Sequence, residues 1–107
     1  MINCVVEKKA QNAICLSVKG HAGYAEHGQD IVCSAVSALV ETLIARLLQL
    51  NAKFSYKKQS GAVEIEMRKL TYDAKAAFDF AILGLKLIQT VYPKNVELQT
   101  ADFSVKM

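Results

Sequence analysis

Residues 13–50, AICLSVKGHAGYAEHGQDIVCSAVSALVETLIARLLQL, change periodicity twice, and those two changes set the architecture. At first Ile14, Leu16 and Val18 alternate with Cys15, Ser17 and Lys19, the period-two pattern of a strand with one face on a core and Cys15 pointing the other way. From Ile31 onward the apolar positions 32, 36, 39, 40, 43, 44, 47 and 48 recur at intervals of three and four. Ser34, Ser37, Glu41, Thr42 and Gln49 fall on the opposite side, so a long amphipathic helix is predicted. Between strand and helix lies the glycine-rich GHAGYAEHGQD. Its last residue, Asp30, suits an N-cap: the carboxylate can accept from the N–H groups of Val32 or Cys33 and complements the positive helix end.

Working outward, INCVVE (2–7) is a short Ile/Val-rich run separated from the strand at 13–19 by the polar KKAQN, which predicts a hairpin. After the helix, KFSYKK and AVEIEMRKL flank the turn QSG as a second hairpin. Residues 73–91 carry Ala74, Phe78, Ala81, Leu85 and Ile88 at helical spacing, continued by Tyr92, with Pro93 as the stop. NVELQT at 95–100 completes the pattern as a strand, with ADFSVKM as its continuation. The predicted fold class is therefore α+β: a single domain over residues 1–107 in ββαββαβ order, a largely antiparallel sheet with two helices packed on one face. The two halves share an element order but no residue pattern.

The 107 residues include three cysteines, an odd count without paired spacing, and MINCVVEKKA lacks the basic-then-apolar pattern of a secretory signal. Both features point to a reducing, cytoplasmic compartment. Glu41, Arg46, Asp79 and Lys86 interrupt the longest apolar runs, so no membrane-spanning segment and no membrane partner are expected. Net charge is +3, from 13 basic and 10 acidic side chains, too balanced to mark a nucleic-acid binder and leaving direct nucleic-acid binding open. Lys53, Lys57, Lys58, Arg68 and Lys69 cluster on the second hairpin, either as an RNA contact or as a solvated face; no aromatic RNP-like pattern accompanies them.

The residues with chemical potential lie at the two junctions. His21 follows a strand that ends at Gly20, so it projects from a regular element, while the glycine-containing segment 22–29 behind it can move. Cys33 falls near N3 of the helix, where free N–H groups and the helix dipole favour a thiolate. A cysteine nucleophile needs a base within reach and N–H donors for the developing oxyanion, and the helix start is the expected source of those donors. Asp30 could orient His21 as a third group, or be occupied by capping, which is the reading we favour. Other readings stay open on spacing alone. Cys33 sits at the margin of the apolar arc around Val36, Val40 and Leu43, which fits a buried core thiol. His21, His27 and Cys33 could hold zinc, although H-x5-H-x5-C matches none of the usual ligand pairs. Cys4 and Cys15 read as strand residues, and Ser37, one turn after Cys33, either supports the site or is solvated.

GHA at residues 20–22 and DIVCSAVSAL at 30–39 closely resemble the ribosomal-processing cysteine proteases, small bacterial proteins of about this length. The resemblance implies that His21 and Cys33 are the catalytic pair, with Gly20, Gly28, Asp30 and Ser37 in substrate-binding or supporting roles, no metal and no cofactor. It further implies endoproteolytic removal of the N-terminal extension of large ribosomal subunit protein twenty-seven during ribosome assembly, a homodimer, and a mobile loop, here 22–29, over the site. The rival is a non-catalytic ribosome- or RNA-associated assembly factor that uses the basic hairpin; its binding would weaken with salt and survive loss of the thiol. Phe80, Leu83 and Leu87 widen the apolar face of the second helix, as a dimer contact or through deeper burial.

Overall fold

The computed structural model describes residues 1–9, 12–26 and 29–102. Its elements are β1 (Ile2–Lys9), β2 (Ala13–Lys19), α1 (Ile31–Gln49), β3 (Ser55–Gln59), β4 (Ala62–Met67), α2 (Tyr72–Val91) and β5 (Val96–Asp102), the predicted order. They form one five-stranded sheet in the order β3-β4-β2-β1-β5. Every neighbouring pair is antiparallel except β1 and β5, which run parallel because α2 carries the chain back across the sheet to its far edge. Residues 103–107 of the expected continuation of β5 lie outside the described residues.

The registers Cys4↔Val18, Val6↔Leu16, Leu16↔Ile65, Ile14↔Met67 and Ile2↔Val96 put the alternating apolar residues of four strands on one face. Val32, Val36, Val40, Leu43, Ile44 and Leu47 of α1, with Ala74, Phe78, Ala81, Ile82 and Leu85 of α2, close over that face in one contiguous cluster. The two helices touch closely at Gly84, where a β-carbon would lie 2.7 Å from Leu39 Cδ1. Leu48, counted on the apolar stripe from its spacing, is instead exposed.

Helix ends follow their local chemistry. Asn51, with φ of +52°, ends α1 in a left-handed residue, and the bonds Ala52 N–H to Leu47 O and Asn51 N–H to Leu48 O complete a Schellman turn. Thr71 caps α2 by accepting from the Ala74 N–H at 3.3 Å. Contrary to the expectation that Glu41 and Arg46 break the run, α1 is long and apolar enough, by length and composition alone, to cross a membrane. Here its apolar stripe packs in the core beneath the sheet. Cys15 faces away from the helices as its alternation predicts, yet it is also buried, flanked in register by Glu7 and Glu66.

Candidate active site

The end of β2, the start of α1, the β3–β4 turn and the start of β5 all reach one end of the sheet. Each junction there has a geometric reason. Gly20 has φ of +101°, and a β-carbon on it would lie 2.4 Å from the Met1 carbonyl oxygen, so only glycine fits. Its N–H donates to Gly61 O at 2.8 Å, tying the root of His21 to the β3–β4 turn. The His21 ring then lies against Gly61, with Nε2 3.0 Å from where a β-carbon would sit on that glycine.

Asp30, only 6% exposed, organises the other side. Oδ1 accepts from the N–H groups of Val32 and Cys33, both at 3.0 Å, and Oδ2 accepts from Tyr24 at 2.9 Å and Ala25 at 3.3 Å. The Cys33 N–H bond, followed by those from Tyr24, Ala25 and Val32, holds the carboxyl below its ordinary range despite opposition from burial. All four bonds go to backbone, so Asp30 caps α1 and fastens the preceding loop; it has no hydrogen bond to His21. The first-turn donors expected to serve an oxyanion, Val32 and Cys33 N–H, are thus engaged by the cap.

What faces the sulfur is a different amide. Ala22 N–H donates to Cys33 Sγ at 3.3 Å, and the Ala22 carbonyl accepts from Asn95 Nδ2 at 2.9 Å. Cys33 is half-buried, packed against the core on one side and open to a cleft of about 670 Å³ on the other. His21, Cys33, Gly20, Asp30 and Ser37 all line this cleft, together with Ser34, whose hydroxyl donates to Asp30 O at 3.2 Å. No hydrogen bond joins His21 to Cys33 among the described residues, but both open onto the same space, where a substrate can draw such a pair together. Val18, Val36, Val40 and Val63 supply its apolar wall, and at its far end Lys58 of β3 pairs with Glu41 of α1. Gly28, expected in a supporting role, and His27, expected in a zinc set with His21 and Cys33, lie outside the described residues.

The remaining thiols do not line this cleft. Burial pushes Cys4 up to about 11, and burial followed by the Glu64 charge raises Cys15. Of the basic hairpin, Lys58 is engaged by Glu41, and Lys57 stands opposite Glu64 in register. No sequence motif marks Asn95 or Gly61 as part of the site. Gly61 was visible only as part of a turn, and Asn95 lies 73 residues from the carbonyl it holds, with no local pattern to mark it.

The family model for the cysteine protease Prp matches residues 1–97. The ribosomal processing cysteine protease Prp of Mycoplasma genitalium is 28% identical over 88 residues, covering 82% of this chain and 89% of that protein. The protein of the same name from Bacillus subtilis is 25% identical, covering 94% and 97%. Among solved structures, the S. aureus ribosomal processing protease Prp with a covalently linked product peptide superposes with a TM-score of 0.86 at 21% identity, covering 94% of this chain and 99% of that one. A Streptococcus mutans protein superposes with a TM-score of 0.75 at 24% identity, covering 95% of each chain.

Proposed function

The chain belongs to the family of the cysteine protease Prp, and from that premise we propose that Cys33 is its nucleophile, His21 its acid–base partner, and the N-terminal extension of large ribosomal subunit protein twenty-seven its substrate. The observation that carries the reading is the Ala22 N–H aimed at a half-buried sulfur in a cleft that His21 also lines. Such a donor stabilises the thiolate, and the first turn of a 19-residue helix adds its field. In the reaction His21 takes the proton of the Cys33 thiol, the thiolate attacks the scissile carbonyl and the oxyanion forms. The C–N bond then breaks as His21 protonates the leaving amine, and water hydrolyses the thioester with His21 as base. A peptide substrate is supported by the S. aureus relative, which has been crystallised with a substrate peptide and with a covalently linked product peptide.

Gly20 and Asp30 support this chemistry by fixing the two junctions, and Ser37 by lining the substrate wall. Three free thiols fit a reducing, cytoplasmic setting. A second copy of the chain is the proposed cover for Phe80, Leu83 and Leu87, which are 75%, 54% and 61% exposed along one side of α2; deeper burial within the chain is not their explanation.

The test is a mass-spectrometric time course with a peptide copied from the extension junction of the same organism's ribosomal protein. Single-site cleavage by the unmodified protein, absent in Cys33→Ala and reduced at least ~100-fold in His21→Ala, is expected. Cleavage that survives in Cys33→Ala would overturn the assignment. An assembly factor acting through the basic hairpin would instead bind ribosomal RNA in a strongly salt-dependent way without cutting the peptide.

A further inference from the structure

The amide that serves the sulfur belongs to a loop, and a loop amide is useful only if something rigid holds it. The peptide groups on either side of the Ala22 Cα are each tied down: one donates to Cys33 Sγ at 3.3 Å, and the other offers its carbonyl to Asn95 Nδ2 at 2.9 Å. Asn95 is itself fixed to the scaffold. Its own N–H donates to Tyr92 O at 3.0 Å and its carbonyl accepts from Ile2 N–H at 2.8 Å, which sets it where α2 ends and the β1–β5 pairing begins. Tyr92, three residues before it, meets Tyr24 of the loop edge-on, with ring centroids 5.4 Å apart and planes at 80°. Ala22 is 2% exposed, so its carbonyl would have little access to water without the carboxamide.

We propose that Asn95 is a positioning residue for the reacting thiol: by gripping the Ala22 carbonyl it keeps the Ala22 N–H directed at Cys33 Sγ. This rests on Cys33 being the nucleophile. A carboxamide suits the task because it donates a hydrogen bond without carrying a charge. Asn95 is not among the residues lining the cleft, so it acts without contact with substrate. It acts on the thiol from another element of the fold, and the thiol's readiness to ionise depends on a residue that the motif around Cys33 does not contain.

The test reads the sulfur rather than turnover. Full-length protein, Asn95→Leu and Asn95→Ser are alkylated with iodoacetamide over roughly pH 5 to 10, and modification of Cys33 is quantified on the isolated peptide, which separates it from Cys4 and Cys15. Both variants are expected to move the pH midpoint of Cys33 alkylation upward by about half a unit or more, from loss of a hydrogen bond that favours the anion. An unchanged midpoint in folded variants, even with a lowered melting temperature, would make Asn95 merely structural and overturn the proposal. Should neither variant fold, the Ala22 amide proton of the unmodified protein serves instead: its NMR shift is expected to follow the Cys33 titration, and a flat profile would overturn the proposal. No substrate enters these measurements, so a failed peptide assay with a positive alkylation result would count against the substrate and leave Asn95 standing.

Discussion

Three cysteines in one small chain occupy three environments, and their differences carry chemical meaning. Cys4 is fully buried in the core, with its thiol pushed up to about 11, while Cys15 lies under carboxylates on the opposite face of the sheet. Cys33 borders the cleft at the end of the sheet and receives a backbone donor. Brief iodoacetamide treatment near neutral pH is therefore expected to modify Cys33 ahead of the other two, as read by peptide mapping. Glycines make an equally local test. Gly20→Ala forces a β-carbon to 2.4 Å from backbone at φ of +101° and is expected to cost at least about 2 kcal/mol in urea unfolding. Gly23→Ala has the same sign of φ, at +70°, but open space around it, and is expected to cost only about 1 kcal/mol. GHA and DIVC led to the expectation that His21 and Cys33 meet at one site, and both line the same cleft. The need for glycine at position 20 was not legible there, because the atom it avoids belongs to Met1.

At the scale of elements, one carboxylate joins a helix start to a loop. Asp30→Ala removes four acceptor bonds where Thr71→Ala removes one, so it is expected to destabilise more than the roughly 1 kcal/mol typical of a lost cap. It should also speed hydrogen exchange at the Tyr24 and Ala25 amides, which a simple capping role would leave alone. Because the folded state favours the ionised form, the contribution of Asp30 is fully present above the ordinary carboxylate value near 3.9. It is lost as pH falls through the lower folded value. Stability measured across an acid titration should show this loss in the unmodified protein and lack it in Asp30→Ala. The capping bonds were readable from spacing, since they span two and three residues forward. The bonds that fasten the loop run backward to Oδ2 and follow from the folded path of the chain, which no periodicity encodes.

Across the whole molecule, alternation, composition, turn signals and helical spacing together anticipated the element order, while strand order was not readable from them. The parallel β1–β5 pair and the placement of β3 at the opposite edge come from two helical crossovers over a shared core. Those crossovers gather Gly20, Cys33, Gly61 and Asn95, drawn from widely separated parts of the sequence, at one end of the sheet. Phe78 lies at the centre of the supporting core with no exposure, and Phe78→Ala is expected to cost about 3–5 kcal/mol in chemical unfolding. On the outside of α2, Leu83→Glu is expected to yield monomers in sedimentation analysis without loss of fold; an unchanged species would show that this face is not the contact.

The most direct measurement of the central claim is the covalent intermediate itself: mix the protein with the extension peptide, quench in acid within the first turnover, and locate any acyl group by mass spectrometry. The N-terminal fragment of the peptide is expected as a thioester on Cys33, with none on Cys4 or Cys15 and none in Cys33→Ala. Cleavage that proceeds with Cys33 replaced, or an acyl group found on another residue, would contradict that claim.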